Sequence, residues 1–163
     1  MQMMNKRNVI LIGMPGCGKT SVGRELSKLS GRPFYDCDEE VEKASGKSIE
    51  EIFALWGEEK FRELEHRALS ELLKGEGLII ASGGGAVKSA ENRRIIKERA
   101  DAVWIRRDID LLPRDGRPLS ASADLLDMYR ERASLYQMTS DFIVENDTTA
   151  YSAAKKCAEV LEL

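Results

Sequence analysis

The sequence predicts an α/β protein in three layers, with a five-stranded parallel sheet covered by helices on both faces. Short runs of consecutive apolar residues, typical of strands buried on both sides, alternate along the chain with segments of helical period. The length of 163 residues suits one domain with a single core, and we therefore expect residues 1–163 to form one domain.

The strands and helices follow one another in a simple order. The expected strands are Val9–Ile12, Pro33–Tyr35, Leu78–Ala81, Ala102–Ile105 and Phe142–Val144. The expected helices are Lys19–Leu29, Ser48–Leu73, Ala90–Glu98, Asp124–Tyr136 and Ala150–Leu161. We expect the second helix to break at Gly57, and Ser89 to be the N-cap of the third.

One segment departs from this rhythm. Residues 106–123, "RRDIDLLPRDGRPLSASA", contain four arginines and two prolines and show little periodicity. A long irregular segment in a compact domain is usually functional, and we predict a lid within about 108–123.

The composition excludes several classes of protein. Hydrophobic residues make up 42% and charged residues 33%, as in ordinary globular domains, and the net charge of −3 gives no sign of a nucleic-acid-binding surface. No apolar run approaches the roughly 20 residues of a membrane span. The three cysteines, Cys17, Cys37 and Cys157, lack the number and spacing of a disulfide framework or a zinc site. We expect a cytoplasmic protein, monomeric by default, without nucleic-acid or membrane partners.

The stretch "GMPGCGKTS" carries the pattern G-x-x-x-x-G-K-[ST] between a predicted strand and a predicted helix. Glycines let successive backbone N–H groups point inward at phosphates, and the helix N-terminus adds positive charge. Lys19 is expected to reach the β- and γ-phosphates, and the Thr20 hydroxyl to bind Mg²⁺. A plain glycine-rich turn is the alternative, which the flanking strand and helix disfavour. The expected nucleotide contacts are Gly13, Pro15, Gly16, Cys17, Gly18, Lys19, Thr20 and Ser21.

The remaining chain narrows the class of phosphate-binding protein. A GTPase would carry N-K-x-D to bind guanine, whereas the nearest stretch is "ENDTT" at 145–149. A motor or large ATPase needs a longer chain. A kinase for a small molecule fits, and it requires an acceptor pocket, a cation for the migrating phosphoryl group and exclusion of water.

Three motifs supply parts of an acceptor pocket. In "DCD", alternation places Asp36 and Asp38 on one side of an extended stretch at a strand's end, although Asp38 might instead cap a following helix. Arg62 and Glu65 are helical neighbours, for which a surface ion pair is the commoner interpretation. "SGGGA" places Gly83, Gly84 and Gly85 after a strand, where they allow close approach of a ligand or form a flexible turn.

Taken together, the motifs resemble those of shikimate kinases. "GMPGCGKTSVG", "DCD", "GEEKFRELE", "SGGGAV", "GRPL" and "RASLY" occur in the family's order, from about Val9 to the C-terminus. The resemblance implies the nucleoside monophosphate kinase-like fold with strand order 2-3-1-4-5. It also implies transfer of the γ-phosphate of ATP to the 3-hydroxyl of shikimate, with Mg²⁺.

The resemblance also implies roles for individual residues, with a substrate-binding segment at about 36–65. Asp36 would act with Thr20 on the metal, and Glu65 would support Arg62. The implied catalytic residues are Lys19, Asp38 as the base, and Arg117, which would reach from the lid to the nucleotide and the transferred phosphoryl group. The implied shikimate-binding residues are Asp38, Arg62, Gly83, Gly84, Gly85 and Arg132, with Arg62 and Arg132 on the carboxylate.

The match is weakest on the adenine side. The lid is short, and Arg107 and Arg114 compete for the role of stacking on adenine. Three other interpretations stay open: a kinase for another small hydroxy acid such as gluconate, a non-catalytic nucleotide-sensing protein, and a module of a longer pathway enzyme.

Overall fold

The computed structural model describes residues 7–112 and 120–163, with side chains in the second range from residue 124 onward. Its five strands form one sheet in the order β2-β3-β1-β4-β5, and all neighbouring pairs are parallel. The predicted fold class and strand order are therefore confirmed. The strands are β1 Asn8–Ile12, β2 Phe34–Asp36, β3 Ile79–Ala81, β4 Ala100–Arg106 and β5 Phe142–Glu145.

Helices pack in two groups around the sheet. Helix α1 contacts α6, whereas α4 contacts both α3 and α5, as expected when both faces are covered. None of the described helices has the length and apolar character needed to cross a lipid bilayer. The helices are α1 Lys19–Ser30, α2 Cys37–Ser45, α3 Ile49–Leu73, α4 Ala90–Arg99, α5 Ser120–Thr139 and α6 Ala150–Leu161.

The central strand explains the position of the phosphate loop. Every residue of β1 is buried, since β3 and β4 flank it and helices cover it. The loop of residues 13–18 leaves the carboxyl end of this strand and leads directly into α1. Ligands bind at such edges in open α/β sheets, and here the central, buried strand presents the loop.

Helix α2 was not among the expected helices. Because it begins within "DCD", the prediction that this stretch is extended is wrong. The strand ends at Asp36, and the chain becomes helical at Cys37. Asp36 is the N-cap, and its Oδ1 accepts from the backbone N–H groups of Asp38 at 2.8 Å and Glu39 at 3.4 Å. The alternative cap role therefore belongs to Asp36 and not to Asp38. Acidic residues in the first turn also favour a helix start here.

Other local expectations are confirmed. Gly57 interrupts α3 with φ 83° and ψ 172°, and the Ser89 hydroxyl accepts from Asn92 N–H at 3.2 Å. After β4 the chain forms a 3-10 helix at Ile109–Leu111, and α5 begins at Ser120, earlier than expected. Residues 113–119, with Arg114 and Arg117, lie outside the described residues, so the lid stays a prediction.

Gly23 sets the distance between α1 and β2. A Cβ at this position would lie 2.9 Å from Phe34 Cδ2 and closer still to Cε2. Replacement by alanine would gain up to about 1 kcal/mol of helix propensity if the site were open. We expect Gly23→Ala instead to lower the free energy of unfolding by about 1–3 kcal/mol, because the Phe34 ring must shift.

Urea unfolding of Gly23→Ala, Phe34→Ala and the double variant measures this contact. The Gly23→Ala penalty should largely disappear in the Phe34→Ala background. A penalty that is the same in both backgrounds would show that the two residues do not limit each other.

Candidate active site

A cavity of about 610 Å³ opens at the carboxyl edge of the sheet. The phosphate loop forms one wall, and the segments after β2 and β3 form others. Helix α3 and helix α5 complete the enclosure. Its lining residues are Pro15, Gly16, Gly18, Lys19, Thr20, Ser21, Asp36, Asp38, Ile49, Phe53, Phe61, Arg62, Glu65, Ser82, Gly83, Gly84, Gly85, Arg107, Met128 and Arg132.

Lys19 is folded onto its own loop. Its Nζ donates to Gly13 O at 2.8 Å and Met14 O at 2.9 Å, and its side chain lies in the cavity wall. A phosphate oxygen is a stronger acceptor for an ammonium group than a neutral carbonyl. The loop therefore presents a cation whose present partners can be exchanged for a phosphate.

Asn146 holds the phosphate loop from the opposite side. Its Nδ2 donates to Cys17 O at 2.7 Å, and both residues are buried. Gly18, with φ 99°, approaches the same amide so closely that a Cβ there would collide with it. Cys17 thus contributes a backbone acceptor and a small buried side chain, and the segment after β5 fixes the loop.

Thr20 and Asp36 meet at the start of α1. The Thr20 hydroxyl donates to Asp36 Oδ2 at 2.7 Å. A hydroxyl and a carboxylate oxygen beside a phosphate loop are hard oxygen ligands of the kind that Mg²⁺ prefers, with water and phosphate oxygens filling its other positions. No group of three His, Cys, Asp or Glu side chains in the described chain could hold a metal by itself. This pair fits a metal that arrives with the nucleotide.

Two buried carboxylates converge above the glycine segment. Within the described residues, neither Asp38 Oδ1 nor Glu65 Oε2 has a hydrogen-bond partner. A Cβ on Gly83 would lie 3.2 Å from the first oxygen and 2.5 Å from the second. Two acceptors therefore face one small space, and hydroxyl donors of a ligand would satisfy them.

Burial is the main cause of the raised pKa values of Asp38 and Glu65. It raises the pKa of Asp38 to about 6, with the Asp36 and Glu65 charges adding to the increase and Lys19 opposing it. Burial likewise raises the pKa of Glu65, against which the neighbouring Arg62 acts. Carboxyl groups with raised pKa values in a cleft are typical of functional sites.

Arg62 and Glu65 form a partly buried pair. Arg62 Nη1 donates to Glu65 Oε1 at 2.8 Å, and Nη2 lies 3.4 Å from Glu58 Oε1. Glu65 is only 1% exposed, so the interpretation as a surface ion pair is wrong. The guanidinium also lies 2.5 Å from the position that a Cβ on Gly85 would take, which leaves no room for a side chain there.

Arg132 enters from α5. It is buried, and its Nε has no partner among the described residues. One turn later, the Tyr136 hydroxyl donates to Gly84 O at 2.6 Å, while its ring packs 5.6 Å from Trp104. Tyr136 and Asn146 were missed from the sequence. The "RASLY" motif contained the signal for the tyrosine, whereas nothing local indicated the asparagine.

Most of the predicted site residues are brought together here. Gly13 and Cys17 are buried behind the loop and do not line the cavity. A Cβ on Gly13 would lie 2.5 Å from Ile105 O, so its role is close packing against β4. The other predicted nucleotide and shikimate contacts line the cavity, apart from Arg117, which lies outside the described residues. Their roles stay predictions.

Comparison with known proteins agrees with this geometry. A model of the shikimate kinase family matches residues 15–162. A shikimate kinase of Caulobacter vibrioides is 43% identical over 135 residues, which span 80% of this chain and 68% of that protein. One from Buchnera aphidicola is 37% identical over 171 aligned positions, covering 98% and 99% of the two chains.

A solved structure gives the same answer at the level of the fold. The shikimate kinase from Acinetobacter baumannii in complex with shikimate is 34% identical and superposes with a TM-score of 0.90, over 96% of this chain and 93% of that one. The resemblance found in the motifs is thereby confirmed, and the chain belongs to the shikimate kinase family.

Proposed function

We propose that this kinase transfers the γ-phosphate of ATP to the 3-hydroxyl of shikimate, giving shikimate 3-phosphate and ADP with the aid of Mg²⁺. One observation carries the proposal: the orphaned Asp38 Oδ1 lies in the same cavity as Lys19 of the phosphate loop. A buried acceptor without a donor, beside a phosphate site, suits a substrate hydroxyl that is about to be phosphorylated.

The donor half holds the triphosphate by charge and by backbone N–H groups. Lys19 exchanges its loop carbonyls for phosphate oxygens, while Thr20 and Asp36 would hold Mg²⁺. The metal neutralises charge on the phosphates when it is bound. Because the transition state of phosphoryl transfer is loose, placing these charges matters more than the strength of the base.

The acceptor half matches a small anionic polyol. Arg62 and Arg132 provide two guanidinium groups for one carboxylate, and Glu65 fixes the direction of Arg62. Asp38 accepts the hydrogen bond of the reacting hydroxyl and takes its proton as the new oxygen–phosphorus bond forms. The bond from the γ-phosphorus to the β,γ-bridging oxygen breaks, and ADP leaves with that electron pair.

The remaining assignments complete the proposal. Arg117 reaches the transferred phosphoryl group from a lid within about 108–123, and backbone groups of Gly83, Gly84 and Gly85 contact shikimate. The enzyme is a monomer with one domain over 1–163, and it works in the cytoplasm. Its cysteines at 17, 37 and 157 are all buried and unpaired, which suits a reducing compartment.

Release of ADP with and without shikimate tests the proposed function. We expect turnover to depend on shikimate, and gluconate and other hydroxy acids to support little of it. Protein shown to be folded by circular dichroism that releases no ADP on addition of shikimate would contradict the proposal. Faster turnover with gluconate would move the enzyme to another acceptor.

Replacing the three proposed anion-binding arginines should separate binding from catalysis. We expect Arg117→Ala to lower kcat about 10³-fold or more, since an arginine on the transferred group acts mainly in the transition state. Arg62→Ala and Arg132→Ala should mainly raise the KM for shikimate.

Steady-state kinetics with both substrates varied measures these effects. Arg94→Ala is the matched control, because Arg94 is an exposed residue of α4 that pairs only with Glu91 and Glu98 in the described structure. Arg62→Lys retains a charge beside the buried Glu65 if the alanine variant folds poorly. An unchanged kcat for Arg117→Ala would remove that residue from its proposed role.

Asp38→Asn should abolish activity and yet stabilise the protein at alkaline pH. The pKa of Asp38 is about 6 in the fold against an ordinary 3.8, so folding opposes its ionisation and wild-type stability falls as the pH rises between these values. The asparagine variant avoids this cost. We expect its free energy of unfolding to exceed that of wild type by ~1–2 kcal/mol near pH 8, shrinking as the pH falls towards 4.

Chemical denaturation from acid to alkaline pH measures the difference, and the kcat/KM of the wild type for shikimate should fall on the acid side of about pH 6. Glu76→Gln is a control for an exposed carboxylate. A stability difference independent of pH would show that Asp38 is not held against ionisation.

A further inference from the structure

Arg107 follows the last residue of β4 and lines the cavity beside the phosphate loop. Strand β4 is the neighbour of β1, and Ile105 O touches Gly13 at the root of the loop. Arg107 is therefore held by the rigid edge of the sheet, at the same level as the phosphate-binding residues.

The two adjacent arginines have opposite surroundings. Arg106 Nε donates to Glu145 Oε1 at 2.6 Å, and its guanidinium lies 5.5 Å from the centre of the Trp104 ring. Arg107 makes no ion pair with any described residue, and its Nε is buried without a hydrogen-bond partner. A buried N–H donor without an acceptor is costly, and an anionic ligand in the cavity would supply that acceptor.

The two carboxyl groups on the acceptor side, Asp38 and Glu65, already have other cationic side chains near them. Among the cationic side chains, Arg62 and Arg132 lower the pKa of Glu65 most, and Lys19 lowers that of Asp38 most. Arg107 instead follows β4, whose Ile105 O lies against Gly13 at the root of the phosphate loop, and this places it on the donor side of the cavity.

The position of Arg107 also does not suit contact with the adenine base. The cavity that it lines is bounded by residues of the phosphate loop and of α5, including Lys19, Met128 and Arg132. Residues 146–149 belong to the loop before α6 that the family resemblance places beside the adenine, and they do not belong to that lining. The position therefore favours a phosphate over the stacking role that the sequence left open between Arg107 and Arg114.

We propose that Arg107 binds the terminal phosphate of the donor nucleotide and is a catalytic residue of the phosphoryl transfer. Its guanidinium donates N–H groups to oxygens of the γ-phosphate and keeps them as the phosphorus moves from the bridging oxygen to the acceptor hydroxyl. The guanidinium neither gains nor loses a proton. The inference rests on the proposed function, since it assumes a nucleoside triphosphate as the donor.

Nucleotide binding without shikimate tests the assignment. Isothermal titration calorimetry compares Mg²⁺·β,γ-imido-ATP with Mg²⁺·ADP, for wild type, Arg107→Ala and Arg107→Lys. We expect Arg107→Ala to weaken binding of the imido-ATP about 10- to 100-fold and that of ADP by no more than about twofold, because ADP lacks the terminal phosphate. Arg107→Lys should restore part of the loss.

Arg106→Gln is the matched control, since it removes the neighbouring charge, which pairs with Glu145 and is not part of the cavity lining. It should leave the ratio of the two affinities near that of wild type. An equal loss of imido-ATP and ADP binding in Arg107→Ala would assign the residue to the base or the inner phosphates, and unchanged binding of both would exclude it as a ligand. If Arg107→Ala does not fold, Arg107→Gln gives the same comparison.

The outcome is separable from that of the proposed function. If wild-type protein fails to phosphorylate shikimate but binds imido-ATP in an Arg107-dependent manner, the acceptor is wrong and the role of Arg107 stands. If shikimate is phosphorylated and both affinities are unaffected by Arg107→Ala, the family activity stands and the inference about Arg107 is overturned.

Discussion

The carboxylate of Asp36 joins the two halves of the site. Oδ2 accepts from the Thr20 hydroxyl at the start of the phosphate-loop helix, while Oδ1 caps α2 through Asp38 N–H. One side chain thereby fixes the proposed metal-binding edge of the donor half and the backbone that carries the proposed base. Gly23 allows this join, because only a residue without a Cβ lets α1 approach β2 at Phe34. The contact of Gly23 with Phe34, close to Thr20 and Asp36 along the chain, thus helps to set the distance between the two halves of the site.

In the described part of the chain, the buried side-chain atoms without hydrogen-bond partners are concentrated in this cavity. The buried side-chain atoms without partners in the described chain belong to Asp38, Glu65, Arg107 and Arg132, and all four residues line the cavity. Buried polar groups are normally paired, so this concentration marks where ligands complete the structure. The carboxylates require a donor and the guanidinium groups require anions. A substrate with hydroxyl and carboxylate groups, together with a polyphosphate, provides both.

The sequence predicted the five strands and five of the six α-helices of the described structure, but only part of the site. Alternating apolar runs predict a covered parallel sheet because each strand is buried on both faces, and the phosphate loop is local in sequence. The turn at Asp36 was not predictable from alternation, since residues two apart can share a strand face or the first turn of a helix. Glu65 looked like a surface charge because its burial depends on Gly83, which comes from a different element. Asn146 contacts the loop across 129 positions of sequence, and no local pattern reveals such a partner.

Helix α5 connects the segment that follows β4 to the floor of the acceptor pocket. Arg132 and Tyr136 lie one turn apart on it, and the tyrosine hydroxyl binds Gly84 O, whose own backbone packs against Pro15 of the phosphate loop. The Tyr136 ring rests on Trp104 of β4, so the helix is anchored to the sheet at the same level. A displacement of α5 would therefore change the position of Arg132 and strain the Gly84 contact together. Because α5 contributes residues to the cavity wall, the arrangement of the site depends on α5 remaining docked.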